Sequence, residues 1–300
     1  MPAPLAKNRT LAVVGVPGGW SSELLADRAA EASSGQRLLI DLAKTRLDTA
    51  TGQLIHAPSG ADLCALGAVL VKKLGGEYSP DLLDRLELLR YLEAKGVRVF
   101  SRPAAISRLL SRLACTATLA LGAIPMPPTT VTEDPAQAQA AVEAYGRAVL
   151  KPLFSSKARG MLLAAPGPDL GATIARFGQA NRTFYVQKAV ELGQQDLGIV
   201  FLGGDYLTTY ARKRQDGAWN TTTASGGKYA PFDPPQHVID LAWQAQNLFG
   251  LDFTCVDVAL TPDGPVVFEV SAFGGFRGIL HARGIDAARL YAEYAVGKMG

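Results

Sequence analysis

The stretch that decides the fold is Cys255-Val256-Asp257-Val258-Ala259-Leu260-Thr261-Pro262-Asp263-Gly264-Pro265-Val266-Val267-Phe268-Glu269-Val270-Ser271. Two apolar, β-branched runs flank a Pro-Asp-Gly series, which is the pattern of a hairpin. The turn residues predict a three-residue loop. It has a type I turn at Pro262-Asp263 and Gly264 in the left-handed region, so that Thr261 pairs with Pro265. Counting back from that pair sets Asp257 opposite Glu269; a two-residue or four-residue loop would set Phe268 there instead. The two carboxylates are then expected side by side, their backbones roughly 4.5–5.5 Å apart. Ser271 follows on the same face by alternation. Each acid interrupts an apolar strand, and two unneutralised carboxylates there repel until one takes up a proton. A divalent cation resolves the conflict, and oxygen donors with no nearby His or Cys point to Mg²⁺ or Mn²⁺. A plainer reading of the same residues has one acid facing solvent or paired with Arg212 or Arg214.

Upstream of the hairpin, Gly203-Gly204-Asp205 is a second turn signal, between Leu197–Leu202 and Tyr206–Arg212. Arg212, Lys213 and Arg214 close that strand, and exposed edge charge is the usual reason for such a run. Asp196 precedes the apolar run and also reads as a turn residue. Lys151 ends the strand Ala148-Val149-Leu150 and precedes Pro152, and an ammonium there needs an anionic partner or an exposed end. After it comes Phe154-Ser155-Ser156-Lys157-Ala158-Arg159-Gly160-Met161. Small residues, two cations and a glycine suit either a phosphate loop or a basic surface loop.

The first hundred residues alternate strand and helix patterns, as in an open α/β lobe. Leu11–Val16, Leu38–Leu42, Ala68–Val71 and Val97–Phe100 read as strands. Ser79-Pro80-Asp81 opens a helix, with Ser79 as cap and Pro80 in the first helical position. Leu82, Leu86 and Leu89 share its buried face, and Gly96 ends it. Further helices are predicted over Ala104–Leu113, from Asp134-Pro135 to near Gly146, and over about Pro235–Phe249. Ile124-Pro125-Met126-Pro127-Pro128 is a linker. Thr183–Gln187 is another strand. The expected architecture is an α/β lobe followed by α+β lobes with antiparallel sheet.

Composition sets the outer limits. At roughly 100–200 residues per domain, a chain of 300 residues has two or three lobes. Hydrophobic residues at 48% and charged residues at 19% make it globular rather than disordered. With 30 basic and 27 acidic residues the net charge is +3, too small a bias to imply a nucleic-acid surface. The three cysteines, Cys64, Cys115 and Cys255, form no CxxC pair, and the three histidines share no metal spacing. No apolar run approaches the ~18 residues of a membrane span, and no secretory signal is visible. A cytoplasmic location is expected.

Taken in order, Lys151, Val186-Gln187-Lys188, Asp196, Arg212, Gly226-Gly227, Val256-Asp257 and Glu269-Val270-Ser271 resemble the ATP-grasp superfamily. Within it they are similar to the RimK-like carboxylate–amine ligases, and to a divergent branch, the GAK-system ATP-grasp proteins. Asp84-Arg85-Leu86-Glu87-Leu88-Leu89-Arg90, Leu92-Glu93-Ala94-Lys95-Gly96 and the Leu121–Thr129 stretch fit the same pattern. The resemblance implies a pre-grasp α/β domain over 1–102, a central subdomain over 103–189 and a C-terminal subdomain over 190–300. It implies that Lys151 meets ATP phosphates and that Ser155, Ser156 and Gly160 belong to a mobile loop above them. Gln187, Lys188, Ala189 and Val190 match the linker that reads adenine through its backbone. Asp196 matches a ribose-side acid. Asn220, Thr221 and Thr222 match a further nucleotide-binding stretch. Asp257, Glu269 and Ser271 match three magnesium ligands, and Arg212 a fixed positive charge beside the reacting groups.

The sequence departs from that pattern at several places. Ser271 stands for an Asn, Lys188 for a Glu, Gly198 for an Arg, Thr222 for an Asn and Ser225 for an Arg. The phosphate loop has one glycine where several are usual, and Arg112 replaces a lysine. The implied activity is an ATP- and Mg²⁺-dependent ligase that activates a carboxylate as an acyl phosphate for attack by an amine. Its partners are then ATP, a carboxylate and an amine substrate, with a homo-oligomer also open, and neither nucleic acid nor membrane. The rival expectation is a nucleotide-binding module in a protein assembly, its catalysis lost through these substitutions.

Overall fold

The computed structural model describes residues 10–156, 158–214 and 228–299. The expectations at Lys157, Asn220, Thr221, Thr222, Ser225 and Gly226-Gly227 lie outside them. In the N-terminal lobe, Leu11–Val14 and Ala68–Val71 are the central strands of a parallel four-stranded sheet, flanked by Leu39–Ile40 and Arg98–Phe100. All eight central side chains are buried, as a sheet covered on both faces requires. The helix Asp81–Ala94 buries Leu82, Leu86, Leu89 and Leu92, while Leu83 faces out. Pro80, not Ser79, occupies its N-cap position, and the Ser79 hydroxyl turns to Asp81 instead. A small antiparallel sheet, Thr45–Asp48, Gln53–His56 and Ala61–Asp62, was not apparent in the sequence, because its strands carry polar residues on both faces.

The helix expected over Ala104–Leu113 is two helices, Pro103–Leu110 and Arg112–Leu121, bent by 103° at Ser111. The bend makes Arg112 the first residue of the second helix. Both helices sit in the main core, and among the described residues no single helix is long and apolar enough to cross a membrane. The central lobe is an antiparallel sheet in the order Leu162–Ala164, Ala148–Lys151, Phe184–Lys188, Thr129–Thr132. The helices Pro135–Tyr145 and Leu170–Ala180 close a separate small core against it. Asp134 caps the first of these by accepting the Ala136 N–H at 2.8 Å.

The C-terminal sheet has five antiparallel strands, in the order Lys228–Pro231, Asp205–Lys213, Gln195–Leu202, Phe253–Thr261, Gly264–Ser271. Alternation sorts its faces. Leu197, Ile199, Val256 and Val258 join the core that includes the helix Gln236–Asn247. Val200, Tyr210 and Cys255 point the other way and pack with the helices Phe276–Arg283 and Ala287–Lys298. Asp257 and Arg212 lie on that second face.

The deciding hairpin pairs Asp257 with Glu269 as expected, but by a different route. The loop is two residues long, with Thr261 opposite Gly264 and Leu260 opposite Pro265. The Thr261 hydroxyl donates to the Gly264 carbonyl at 2.7 Å and closes the turn one residue tighter than the Pro-Asp-Gly series suggests. A bulge then restores the register: Val258 faces Val267, Phe268 is the extra residue, and Asp257 faces Glu269. The bulge also turns Phe268 and Glu269, neighbours in sequence, toward the same cleft.

The tight turn depends on Gly264, whose φ of +114° lies where side chains are strained. Gly264→Val is expected to destabilise the protein by about 1–3 kcal/mol, read as a lowered urea midpoint at unchanged slope. A midpoint equal to wild type would show that the turn imposes no such strain.

Candidate active site

The central sheet and the C-terminal sheet face each other across a cleft of about 850 Å³. Cavities of roughly 300–1,000 Å³ suit small-molecule and cofactor ligands. Val149, Met161 and Leu163 make its apolar wall on the central side. The linker from Lys188 to Gln194 forms its back, and Asp196, Arg212, Asp257 and Glu269 form its charged floor.

Cross-strand register builds the floor. Asp196 pairs with Arg212, and Asp257 pairs with Gly198 on one side and Glu269 on the other. The Arg212 Nε donates to both Asp196 oxygens at 3.1 Å, and its Nη2 reaches Asp196 Oδ2 and, at 3.1 Å, Asp257 Oδ1. Arg212 is therefore not an exposed edge charge: 18% of its side chain is accessible. Burial opposes its charge, but Asp257 and Asp196 hold its pKa well above the ordinary arginine value. Asp196 is a strand residue, 6% exposed, rather than a turn residue. Burial pushes Asp257 up to about 6 against the pull of Arg212, with Asp196 and Glu269 adding to the rise.

Glu269 has its own arginine. Arg112 Nη1 stands 3.1 Å from Glu269 Oε2, and Arg112 Nε donates to the Pro152 carbonyl at 3.2 Å. Both acids of the hairpin are thus ion-paired, so the metal reading and the arginine-pairing reading describe one place. Ser271 shares their face by register, opposite Cys255, but its hydroxyl accepts the Phe273 N–H at 3.3 Å. Two carboxylates and a hydroxyl are hard donors that fit Mg²⁺ or Mn²⁺. Among the described residues there is no group of three or more His, Cys, Asp or Glu that could hold a metal by themselves.

Lys151 enters from the central sheet, and its ammonium donates to Gln187 Oε1. Gln187 in turn donates to Thr129 Oγ1 at 3.0 Å. Its neutral amide holds the ammonium in place without neutralising it. Burial, with Arg112 nearby, drives the Lys151 pKa down to about 7, while Glu269 opposes the drop. In the linker, the Lys188 N–H donates to Pro128 O and the Ala189 N–H to Arg147 O, each at 2.8 Å. These two donors serve the sheet and are not offered to a ligand, which narrows the expected backbone reading to Val190 and the linker carbonyls. Ser156 and Ala158 line the cleft, and Ser155 lies beside Arg112. Gly160, at φ +69°, sits over Pro152. Arg159 folds back on Ser156 rather than reaching inward.

Several cleft residues were not singled out from the sequence: Arg147, Tyr210, Tyr229 and Phe268. The signal for Tyr210 was present, since it alternates with Arg212 and so shares its face, as does Arg214, read from the sequence as edge charge or an acid's partner. The Arg214 Nε is buried without a hydrogen-bond partner. Tyr210 also accounts for a departure. A Cβ on Gly198 would stand 2.4 Å from Tyr210 Cζ, so the tyrosine ring fills the space beside the missing side chain.

A model of the RimK-like ATP-grasp domain matches residues 110–294. A probable alpha-L-glutamate ligase of Legionella pneumophila is 25% identical over 248 residues, covering 82% of this chain and 81% of that one. The crystal structure of a RimK domain ATP-grasp protein from Sphaerobacter thermophilus superposes with a TM-score of 0.72 at 26% identity, covering 96% of this chain and 99% of the other. The ATP-grasp ligase PsnB, solved with a minimal precursor, Mg and ADP, shares the fold at TM-score 0.72 and 18% identity, over 98% and 99% of the two chains.

Gly198→Arg is expected to lower stability by about 1–3 kcal/mol, the usual cost of overpacking. The double variant with Tyr210→Ala should recover most of that loss in thermal unfolding. A single variant as stable as wild type would show that the ring does not hold the space.

Proposed function

The chain belongs to the RimK-like ATP-grasp family of ATP-dependent C–N ligases, and from that premise we propose that its cleft joins a carboxylate to an amine through an acyl phosphate, with Mg²⁺ or Mn²⁺ as the metal. The observation that carries this reading is the convergence of Lys151, Arg212, Asp257 and Glu269, from four strands of two sheets, on one cleft. The apolar wall of Val149, Met161 and Leu163 suits the base of ATP, which would leave its phosphates toward Lys151. Asp257 and Glu269 would hold the metal, with Ser271 beside them, and the ion would supply charge that offsets the phosphates during transfer.

The remaining work falls to side chains of this chain. Lys151 and Arg212 give fixed positive charge, which needs no reorganisation as charge moves between phosphate and carboxylate. Gln187 and Asp196 hold those two cations in place by hydrogen bonds. No covalent nucleophile is needed, since an acyl phosphate is attacked directly by the amine. Glutamate or a peptide is the substrate class suggested by the relatives, which are named as glutamate ligases or were solved with a precursor peptide. A cytoplasmic location, where ATP and free amino acids are available, fits this chemistry.

The reading makes two measurable claims. ADP and phosphate release should require divalent metal, a carboxylate and an amine together, and Glu269→Gln should reduce it by two orders of magnitude or more, roughly the loss seen when one electrostatic contact to a transition state is removed. Turnover at wild-type level in that variant would remove Glu269 from the reaction. Metal-dependent nucleotide binding with no turnover across a panel of acids and amines would favour the non-catalytic module.

The second claim concerns Lys151, whose ammonium titrates near pH 7 in the free protein because burial disfavours its charge. Phosphate beside it favours the charged form and raises the pKa. ATP binding above pH 7 should therefore take up a proton and weaken as pH rises. Calorimetry at pH 8 in buffers of different ionisation enthalpy should show the uptake, and Lys151→Met should abolish it. Equal heats in all buffers for wild type would place Lys151 away from the phosphates.

A further inference from the structure

The two arginines at the hairpin acids differ in how they are tethered. Arg212 is bound to Asp196 through two nitrogens as well as to Asp257, so it keeps a carboxylate partner whatever happens at Asp257. Arg112 has Glu269 as its single ion-pair partner among the described residues. Its other side-chain contacts are neutral: the Pro152 carbonyl at 3.2 Å, the Ser155 hydroxyl at 3.5 Å, at the start of the expected phosphate loop, and the Tyr185 ring, whose centre is 5.9 Å from the guanidinium carbon. Its backbone is fixed as well, because the Arg112 N–H donates to Leu153 O at 3.1 Å. The Arg112 side chain is nearly enclosed, 9% accessible, whereas that of Glu269 is 44% accessible and lines the cleft.

This places a full positive charge on the carboxylate that a metal would need. A metal ion approaching Glu269 in the nucleotide-free protein meets a carboxylate that already holds the guanidinium on Oε2, and two cations on one carboxylate repel. An anion of high charge in the cleft changes the balance, because it offers Arg112 a second partner and releases Glu269. Building on the metal site proposed above, we propose that Arg112 is an internal counter-ion that keeps Glu269 closed to divalent metal until nucleotide phosphates draw the arginine away. Metal and nucleotide are then coupled by exchange of one ion pair, and the coupling acts equally in both directions. Arg112 is a positioning residue in this scheme: it acts on the metal through Glu269. The bend at Ser111, which sets Arg112 at a helix start against the phosphate loop, is what lets one side chain touch both partners.

The test is Mn²⁺ binding to the full chain, followed by electron paramagnetic resonance of the free ion, without nucleotide. Arg112→Met keeps the stem and removes the charge, and Arg112→Lys keeps the charge but loses the fork; thermal unfolding reports whether each folds. Nucleotide-free Arg112→Met should bind Mn²⁺ roughly tenfold more tightly than wild type, within the ~5–150-fold range of site-to-site coupling. Glu269→Gln in the same background should cancel the gain. If the Met variant does not fold, the Lys variant decides, with a rise of about threefold expected because its ammonium pairs less well with a carboxylate. Unchanged Mn²⁺ affinity in the variant that folds overturns the counter-ion role. A separate arm adds the non-hydrolysable β,γ-imido analogue of ATP to wild type. If Mn²⁺ then binds through Glu269 while the arginine variants show no gain, the counter-ion role falls and the metal site stands. If wild type binds no more Mn²⁺ than the analogue does alone, the metal site itself falls, and the counter-ion role with it.

Discussion

Two carboxylates facing each other across one hairpin are the constraint around which the rest of the molecule is arranged. Asp257 and Glu269 occupy paired positions in adjacent strands, inside apolar runs. Like charges placed directly opposite in a ladder destabilise it. Burial makes matters worse at Asp257, which is held up near pKa 6. The fold answers by bringing one arginine to each acid from a different direction. Arg212 comes from the same sheet two strands away, already locked to Asp196. Arg112 comes from a helix outside the sheet and approaches from the side of Pro152 and Ser155. The hairpin is neutral enough to fold without a metal, and it keeps its carboxylates at the cleft.

A second buried cation steadies the ground next to that hairpin. Lys72 extends the N-terminal strand Ala68–Val71, is 2% exposed, and donates to the carbonyls of Phe273 and Gly274. Its Nζ also stands 3.9 Å from the centre of the Phe276 ring. Burial, with Lys73 nearby, lowers its pKa to about 7. The loop it holds follows Ser271 directly and leads to Gly275 at the cleft. The N-terminal lobe therefore supplies no residue to the charged floor of the cleft, but it fixes the segment on which Ser271 rests. A carbonyl cage tolerates either protonation state of the amine, since both donate hydrogen bonds.

Legibility of the sequence followed locality. Alternation and turn residues gave the two hairpins of the C-terminal sheet, because a sheet face is set by neighbours two residues apart, but not its edge strand Lys228–Pro231 or the pairing that joins the hairpins. Asp134-Pro135 marked a helix start for the same reason. The Asp257–Glu269 pair was legible too, although through a loop one residue longer than the real one; the bulge at Phe268 made up the difference. Bulges leave no strong mark in a single sequence, since the extra residue is defined by its partner strand. What stayed hidden depends on contacts distant in the chain. Arg112 meets Glu269 across 157 positions and Lys72 meets Gly274 across 202. No periodicity encodes either one. The bend at Ser111 was missed because apolar spacing continues through it. Ser271 was placed on the right face by alternation, yet its tie to Phe273 arises from the loop that follows.

The departures from the family pattern bear on whether the site still works, and here the structure separates an isolated loss from a replacement. Loss of an arginine at position 198 would leave a hole in the floor if nothing else had changed. Instead Tyr210, the cross-strand partner of Gly198, fills the space, and Gly278 makes room for the same ring on its other side, where a Cβ would stand 2.7 Å from it. Two glycines and a tyrosine that fit one another are a repacked wall. The ring is buried, and its hydroxyl lies 3.7 Å from Cys255 Sγ, so it presents an apolar surface with little polarity to the cleft. The charge removed at 198 is not removed from the cleft as a whole, because Arg214 lies two residues beyond Arg212 on the same face and also lines it. Positive charge is present beyond the end of the neighbouring strand, Asp205–Lys213, beside the ion pairs of Arg212 with Asp257 and of Arg112 with Glu269. A buried carboxylate pair is costly to neutralise, and a wall repacked around Tyr210 beside that charged floor supports the ligase proposed above, with a substrate pocket shaped by the tyrosine ring.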